Sequence, residues 1–206
     1  MKSEGIIKVS VMTGKLKGFY AINFNPLDNA FCAKMAKKEG TVCSYCYSRR
    51  MLQTFRKNCA KPFSQNALVM SEKIHDQLLP RFMPGAFVRF LSHGELENTA
   101  QLENFFRIAE VNPATRFSLW TKRSDLLFDL YADRIKLKPT NLNIIQSSIF
   151  VNQKLDTQSP YTDALFTVYE SEEADNTLDF RCNGKNCRDC MHCYNPNPKD
   201  VSEILR

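Results

Sequence analysis

The chain of 206 residues is 43% apolar and 11% aromatic, enough to bury one core without covalent staples. No apolar run approaches a bilayer span and no apolar signal region follows Met1-Lys2-Ser3-Glu4-Gly5, so a membrane partner is excluded and a soluble, cytoplasmic protein is expected. The net charge of +6 is uneven: residues 1–62 carry twelve Lys and Arg against three Asp and Glu, and residues 63–206 carry sixteen against nineteen, so the first third suits an anionic partner such as nucleic acid, a small cofactor or a substrate.

Taken in chain order, Ile6–Val11 and Phe19–Phe24 alternate and are expected as strands. Residues 25–46 form a cysteine-bearing loop, followed by a helix from about Tyr47 to Asn58. A second helix is bracketed by Pro62 and Pro80, with Ala67, Met70, Ile74 and Leu78 on one face. A strand–loop–helix rhythm begins next. Phe87–Leu91 is a strand, Ser92-His93-Gly94-Glu95 its loop, and the helix after Asn98 carries Leu102, Phe105, Phe106 and Ala109. Phe117–Trp120 is the next strand, and Ser124 can cap a helix bearing Leu126, Leu127, Leu130 and Tyr131. Leu142–Gln146 is another strand, ending at Ser147-Ser148, and Ala164–Tyr169 is expected as the last.

Strands alternating with helices predict an α/β fold with mostly parallel strands. About five or six of them make an open, partial β/α barrel rather than a closed one. In such folds ligands sit at the carboxyl ends of the strands. That rule picks out the first cysteine loop, Ser92–Glu95, Thr121-Lys122-Arg123 and Ser147-Ser148. The acidic stretch Glu170–Asp175 reads as a linker, dividing the chain into residues 1–175 and a cysteine-rich metal knot over 176–206.

All eight cysteines lie in two groups, each with a Cys-x-x-Cys-Tyr segment. Such a pair on a turn aims two thiolates at a metal. In a reducing compartment, clustered cysteines favour metal or catalysis over disulfides. Cys32, Cys43 and Cys46 are three thiolates, with Cys59 an alternative third member. Three cannot complete a four-cysteine shell, but they can hold a [4Fe–4S] cluster with one iron open. Cys182, Cys187, Cys190 and Cys193 fall within twelve residues and can complete a shell alone, as a second [4Fe–4S] cluster or a structural zinc. His192, between two of them, reads as a surface residue, and His93 as an ordinary loop residue.

These segments resemble the radical S-adenosylmethionine (radical SAM) enzymes. That family places three cysteines after its first strand with an aromatic residue before the last, where Tyr45 stands here. It also carries a Gly-Glu motif after its second strand, where Gly94-Glu95 stands. The usual spacing is C-x3-C-x2-C; here the first gap is ten. More closely, the chain is similar to the small radical-SAM-like phage family called gene product eighty-eight. The likeness lies in Phe31-Cys32, Cys43–Tyr47, Arg89–Leu96, Asn112-Pro113 and Phe117–Arg123, together with the cysteine-rich C-terminus.

The resemblance implies a host-cytoplasmic enzyme using an iron–sulfur cluster, S-adenosylmethionine and an external electron donor. Reductive cleavage of S-adenosylmethionine would give a 5′-deoxyadenosyl radical that abstracts hydrogen from a substrate, either a small molecule or a nucleotide or nucleic acid. Glu95 would bind the methionyl ammonium, Lys122 or Arg123 its carboxylate, and Ser147 and Ser148 the ribose. Two other readings stand beside it. One is a zinc-binding nucleic-acid module in which Cys43, Cys46, Cys190 and Cys193 share one site. The other is a degenerate radical SAM fold that keeps its clusters without catalysis.

Overall fold

In Phe87–Phe90, Val88 and Phe90 are fully buried while Phe87 and Arg89 are not; in the strand beside it Phe117 and Leu119 are buried in the main core and Trp120 is half-buried against a second cluster. This two-residue period splits each strand between two faces. The computed structural model describes residues 6–134, 137–172, 174–175, 179–184 and 186–205. The strands are β1 (Val9–Val11), β2 (Tyr20–Ile22), β3 (Phe87–Phe90), β4 (Arg116–Thr121), β5 (Leu142–Ser147), β6 (Ala164–Tyr169), β7 (Phe180–Arg181) and β8 (Val201–Ile204). The helices are α1 (Ala30–Ala36), α2 (Tyr47–Gln53), α3 (Ala60–Met70), α4 (Thr99–Glu110), α5 (Ser124–Arg134) and α6 (Cys187–Cys190).

The eight strands form one sheet in the order β1-β2-β3-β4-β5-β6-β8-β7. All neighbours are parallel except β1 and β2. From β2 to β6 each crossover moves one strand in the same direction, which gathers the crossover helices on one face. The main core lies there. Phe105 of α4 stacks on Phe90 at 4.2 Å between ring centroids and on Phe24 at 5.6 Å, and Phe90 stacks on Phe117 at 4.9 Å. On the other face Ile145, Phe166, Val168 and Val201 make a smaller cluster with Trp120 packed against it.

The α/β class and the mostly parallel sheet match expectation, but the described residues hold eight strands rather than five or six. Ala164–Tyr169 is not the last. The chain returns at Val201–Ile204 to pair with β6, and β7 pairs outside it. Two- and four-residue strands carry too few side chains for alternation to reveal them.

Pro62 does not bound a helix; it lies in the first turn of α3, where no backbone N–H is required. Ile74 and Leu78 fall beyond that helix. The helix expected over 47–58 stops at Gln53, and Lys57–Cys59 forms a separate 3-10 turn. Among the described residues no helix is long and apolar enough to cross a membrane.

Candidate functional site

The loop after β3 is built on two left-handed residues. Leu91 takes φ 58° and Gly94 takes φ 84°. A Cβ on Gly94 would lie 2.5 Å from the Phe24 carbonyl oxygen, so only glycine fits. The Phe24 N–H in turn donates to the His93 carbonyl at 3.0 Å. This turn sends Glu95 inward, where it is 4% exposed. Its carboxylate accepts from the Thr121 hydroxyl at 2.5 Å, the Lys122 N–H at 2.8 Å and the Leu96 N–H at 2.9 Å. Burial pushes the Glu95 pKa up, opposed by the Lys122 charge and these bonds.

Asn29 joins this loop to the first cysteine group. Its side chain caps α1 by accepting from the Cys32 N–H at 2.8 Å, and its amide donates to the Glu95 carbonyl at 2.9 Å. Thr41, fully buried, does the same for the 3-10 turn Val42–Tyr45, accepting from the Ser44 N–H at 3.2 Å. Cys46 then opens α2. Burial raises the Cys32 and Cys43 thiol pKa values. Glu95 and the neighbouring thiols add to the effect on both, and Lys122 opposes it.

The second group docks at the opposite, amino ends of the strands. Asn143, near the start of β5, donates to the Cys193 and Asn195 carbonyls at 3.1 and 2.8 Å. Arg116, the first residue of β4, donates to the Tyr194 carbonyl at 3.2 Å. Tyr194 packs edge-on against Phe19 and Phe87 at 5.1 and 5.7 Å. Asn186 caps α6, and Met191 at φ 53° turns the chain into the 3-10 turn His192–Tyr194. Cys182 is fixed through its N–H to the Ser202 carbonyl at 2.7 Å. Burial pushes the Cys193 thiol up to about 12, while Cys190 is exposed. His192 stacks on Phe180 at 4.0 Å between centroids and reaches the Lys199 carbonyl at 2.9 Å.

One cavity of about 510 Å³ joins the two ends. Cys32, Cys43, Cys46, Cys182, Cys187, Cys190 and Cys193 all line it, with Tyr45, Gly94, Glu95, Lys122 and Ser147. Cys59 does not; its sulfur lies 3.8 Å from the Asn58 side chain. Arg123 lies outside it too, its guanidinium paired with Asp125 at 2.7 Å and bonded to the Leu96 carbonyl at 2.9 Å. Ser148 turns its hydroxyl to the Phe150 carbonyl at 3.0 Å. His93 is buried between Phe63 and Ser48, and desolvation drops its pKa to about 4. Arg89 and Asn29 were not singled out from the sequence. A lone charged residue between Val88 and Phe90 is the signal for Arg89; an Asn three residues before Cys32 is the cap signal for Asn29.

All eight cysteines are free thiols. Among the described residues, no three His, Cys, Asp or Glu side chains converge closely enough to hold a metal ion as they stand. The thiols nonetheless sort by charge environment: Cys43 feels Cys46, and Cys193 feels Cys182, Cys187 and Cys190, with no crossing between groups. No family model, curated protein or solved structure matches this chain.

Proposed function

We propose that the chain is an iron–sulfur enzyme of radical SAM type, built on a partial β/α barrel. The carrying observation is that seven cysteines, in a set of three and a set of four, face one cavity beside a buried Gly-Glu turn. The donor chemistry fits clusters better than a single ion. In a [4Fe–4S] cluster each thiolate binds a different iron, so the sulfurs stand apart instead of converging on one point. Cys32, Cys43 and Cys46 would hold the cluster with the open iron, and Cys182, Cys187, Cys190 and Cys193 a closed auxiliary one. The separation of Cys43 and Cys46 from Cys190 and Cys193 to opposite strand ends disfavours one shared zinc site.

When bound, a reduced cluster with an open iron would supply the electron for cleavage of S-adenosylmethionine. The chain's own residues bind and orient. Glu95 accepts from the methionyl ammonium, its carboxylate pre-aimed by Thr121 and the Lys122 N–H. The Lys122 ammonium, which lines the cavity while Arg123 is turned to Asp125, takes the methionyl carboxylate. Ser147, rather than Ser148, reaches the ribose. Trp120, Phe166, Val168 and Phe180 line the cavity and exclude water. Exposed Cys190 marks the side where an external donor delivers electrons.

The test is anaerobic purification with iron, sulfide and zinc analysis, then reduction by dithionite with S-adenosylmethionine. The expected result is iron, sulfide and released 5′-deoxyadenosine. Cys43→Ala abolishes release and Cys190→Ala leaves some. Zinc without iron overturns the reading; iron without cleavage leaves a cluster-binding protein that is not an enzyme of this type.

A further inference from the structure

Arg89 stands in the middle of β3, on the cavity face, and the cysteine chemistry does not use it. Its guanidinium lies 4.0 Å above the Trp120 ring. Its Nε–H is buried without a hydrogen-bond partner. The groups whose charge it feels are Tyr194, Cys193, Tyr47 and Cys187, none of them a carboxylate. Neither carboxylate-bearing residue that lines the cavity, Glu95 or Glu203, is among the charges that bear on Arg89.

Two more residues that line the same cavity carry a buried polar atom without a partner, the Ser92 hydroxyl and the Tyr194 phenol. They belong to the same place. Tyr47, which faces Arg89, donates to the Ser92 carbonyl at 3.3 Å, and Tyr194 faces Arg89 from the other side. The two tyrosines are those that end the two Cys-x-x-Cys-Tyr segments. A guanidinium with a buried, unpartnered Nε–H and no carboxylate beside it is costly, and buried hydroxyls in native proteins find partners. A guanidinium without a carboxylate and two hydroxyls without partners on one cavity match an oxyanion guest.

We propose that Arg89, Ser92 and Tyr194 form an oxyanion subsite that receives a carboxylate or phosphate group between the two cysteine sets. The guanidinium supplies the charge and two hydroxyls the remaining hydrogen bonds. That the anion belongs to a substrate rests on the enzyme reading above; that the cavity holds an anion does not. Held there, a substrate presents its uncharged part toward the Glu95 end of the cavity, the end where S-adenosylmethionine is proposed to bind.

The experiment is thermal and calorimetric titration of the anaerobically purified protein with inorganic phosphate and with acetate, against chloride at equal ionic strength. Metal content is measured in parallel. Stabilisation by phosphate above acetate assigns a phosphate guest, and the reverse a carboxylate. Arg89→Gln abolishes the effect, and Ser92→Ala and Tyr194→Phe each weaken it by about tenfold. Should Arg89→Gln fail to fold, the other two variants decide. No anion-specific stabilisation of the wild type overturns the proposal, as does stabilisation unchanged in Ser92→Ala and Tyr194→Phe. Loss of metal from Arg89→Gln with unchanged anion affinity in those two also overturns it, making Arg89 a counter-ion of the thiolates. None of these readouts needs S-adenosylmethionine, so absence of 5′-deoxyadenosine leaves them standing.

Discussion

Asn29 uses both ends of one amide, its oxygen on the Cys32 N–H and its nitrogen on the Glu95 carbonyl. It therefore ties the backbones of Cys32 and Glu95, 63 positions apart, by a side chain that is 1% exposed. Asn29→Ala loses the cap and orphans a buried carbonyl, for an expected loss of about 2 kcal/mol in urea unfolding. Asn29→Asp keeps the cap acceptor and loses the donor, so it falls between the two. His93 gives a pH signature. Its pKa is about 4 in the fold against 6.5 when unperturbed, so the unfolded chain binds the extra proton between those values. Stability is fully present above pH 6.5 and falls as pH drops toward 4, by roughly 3 kcal/mol in total. Denaturant melts across that window check it, and His93→Gln flattens the slope. Gly94-Glu95 was legible in the sequence as a motif after a strand. Why the glycine must be glycine was not, because the obstructing carbonyl belongs to Phe24, 70 positions earlier.

At the scale of elements, β8 is the piece that local pattern did not reveal. Val-Ser-Glu-Ile is too short to announce a strand, yet Val201 is 1% exposed against Phe166 and Val168. Ser202 is fully buried, donates to Asp175 at 2.7 Å and offers its carbonyl to the Cys182 N–H. The second cysteine set thus depends on a strand that follows it. Val201→Asp buries an unpaired carboxylate and is expected to cost about 3 kcal/mol or more. In metal-free protein the same change speeds alkylation of Cys182 more than that of Cys59, which β8 does not touch; equal rates would show that β8 does not hold Cys182. The longer strands were legible because their apolar residues recur at two-residue spacing over four or more positions. The end of α2 was not, since the break after Gln53 contains neither proline nor glycine.

Across the whole molecule, the cavity collects what the sequence scatters. Lys15, Arg50, Arg89 and Lys122 line the cavity against Glu95 and Glu203. The basic first third seen in composition therefore contributes to the cavity as well as to the outer surface. The two cysteine groups, 123 positions apart between Cys59 and Cys182, come to share one space because every crossover from β2 to β6 steps in one direction. Proximity of the groups was not legible in their spacing; it follows from strand order. If metal joins elements this distant in the chain, its removal loosens both ends at once. Chelation after anaerobic reconstitution is expected to lower the melting temperature, and Cys43→Ser and Cys190→Ser each to give part of that drop.

The chain has a single tryptophan, and it lies on the cavity face beneath Arg89 and 4.7 Å from the Phe166 ring. The protein thus carries its own optical probe at the place where chemistry is proposed. Loading with a coloured iron–sulfur centre should quench Trp120 emission by energy transfer, and zinc, which has no visible absorption, should not. Anion entry beside Arg89 should shift the emission without quenching it. One cuvette, read during reconstitution and then during phosphate addition, reports both events in sequence.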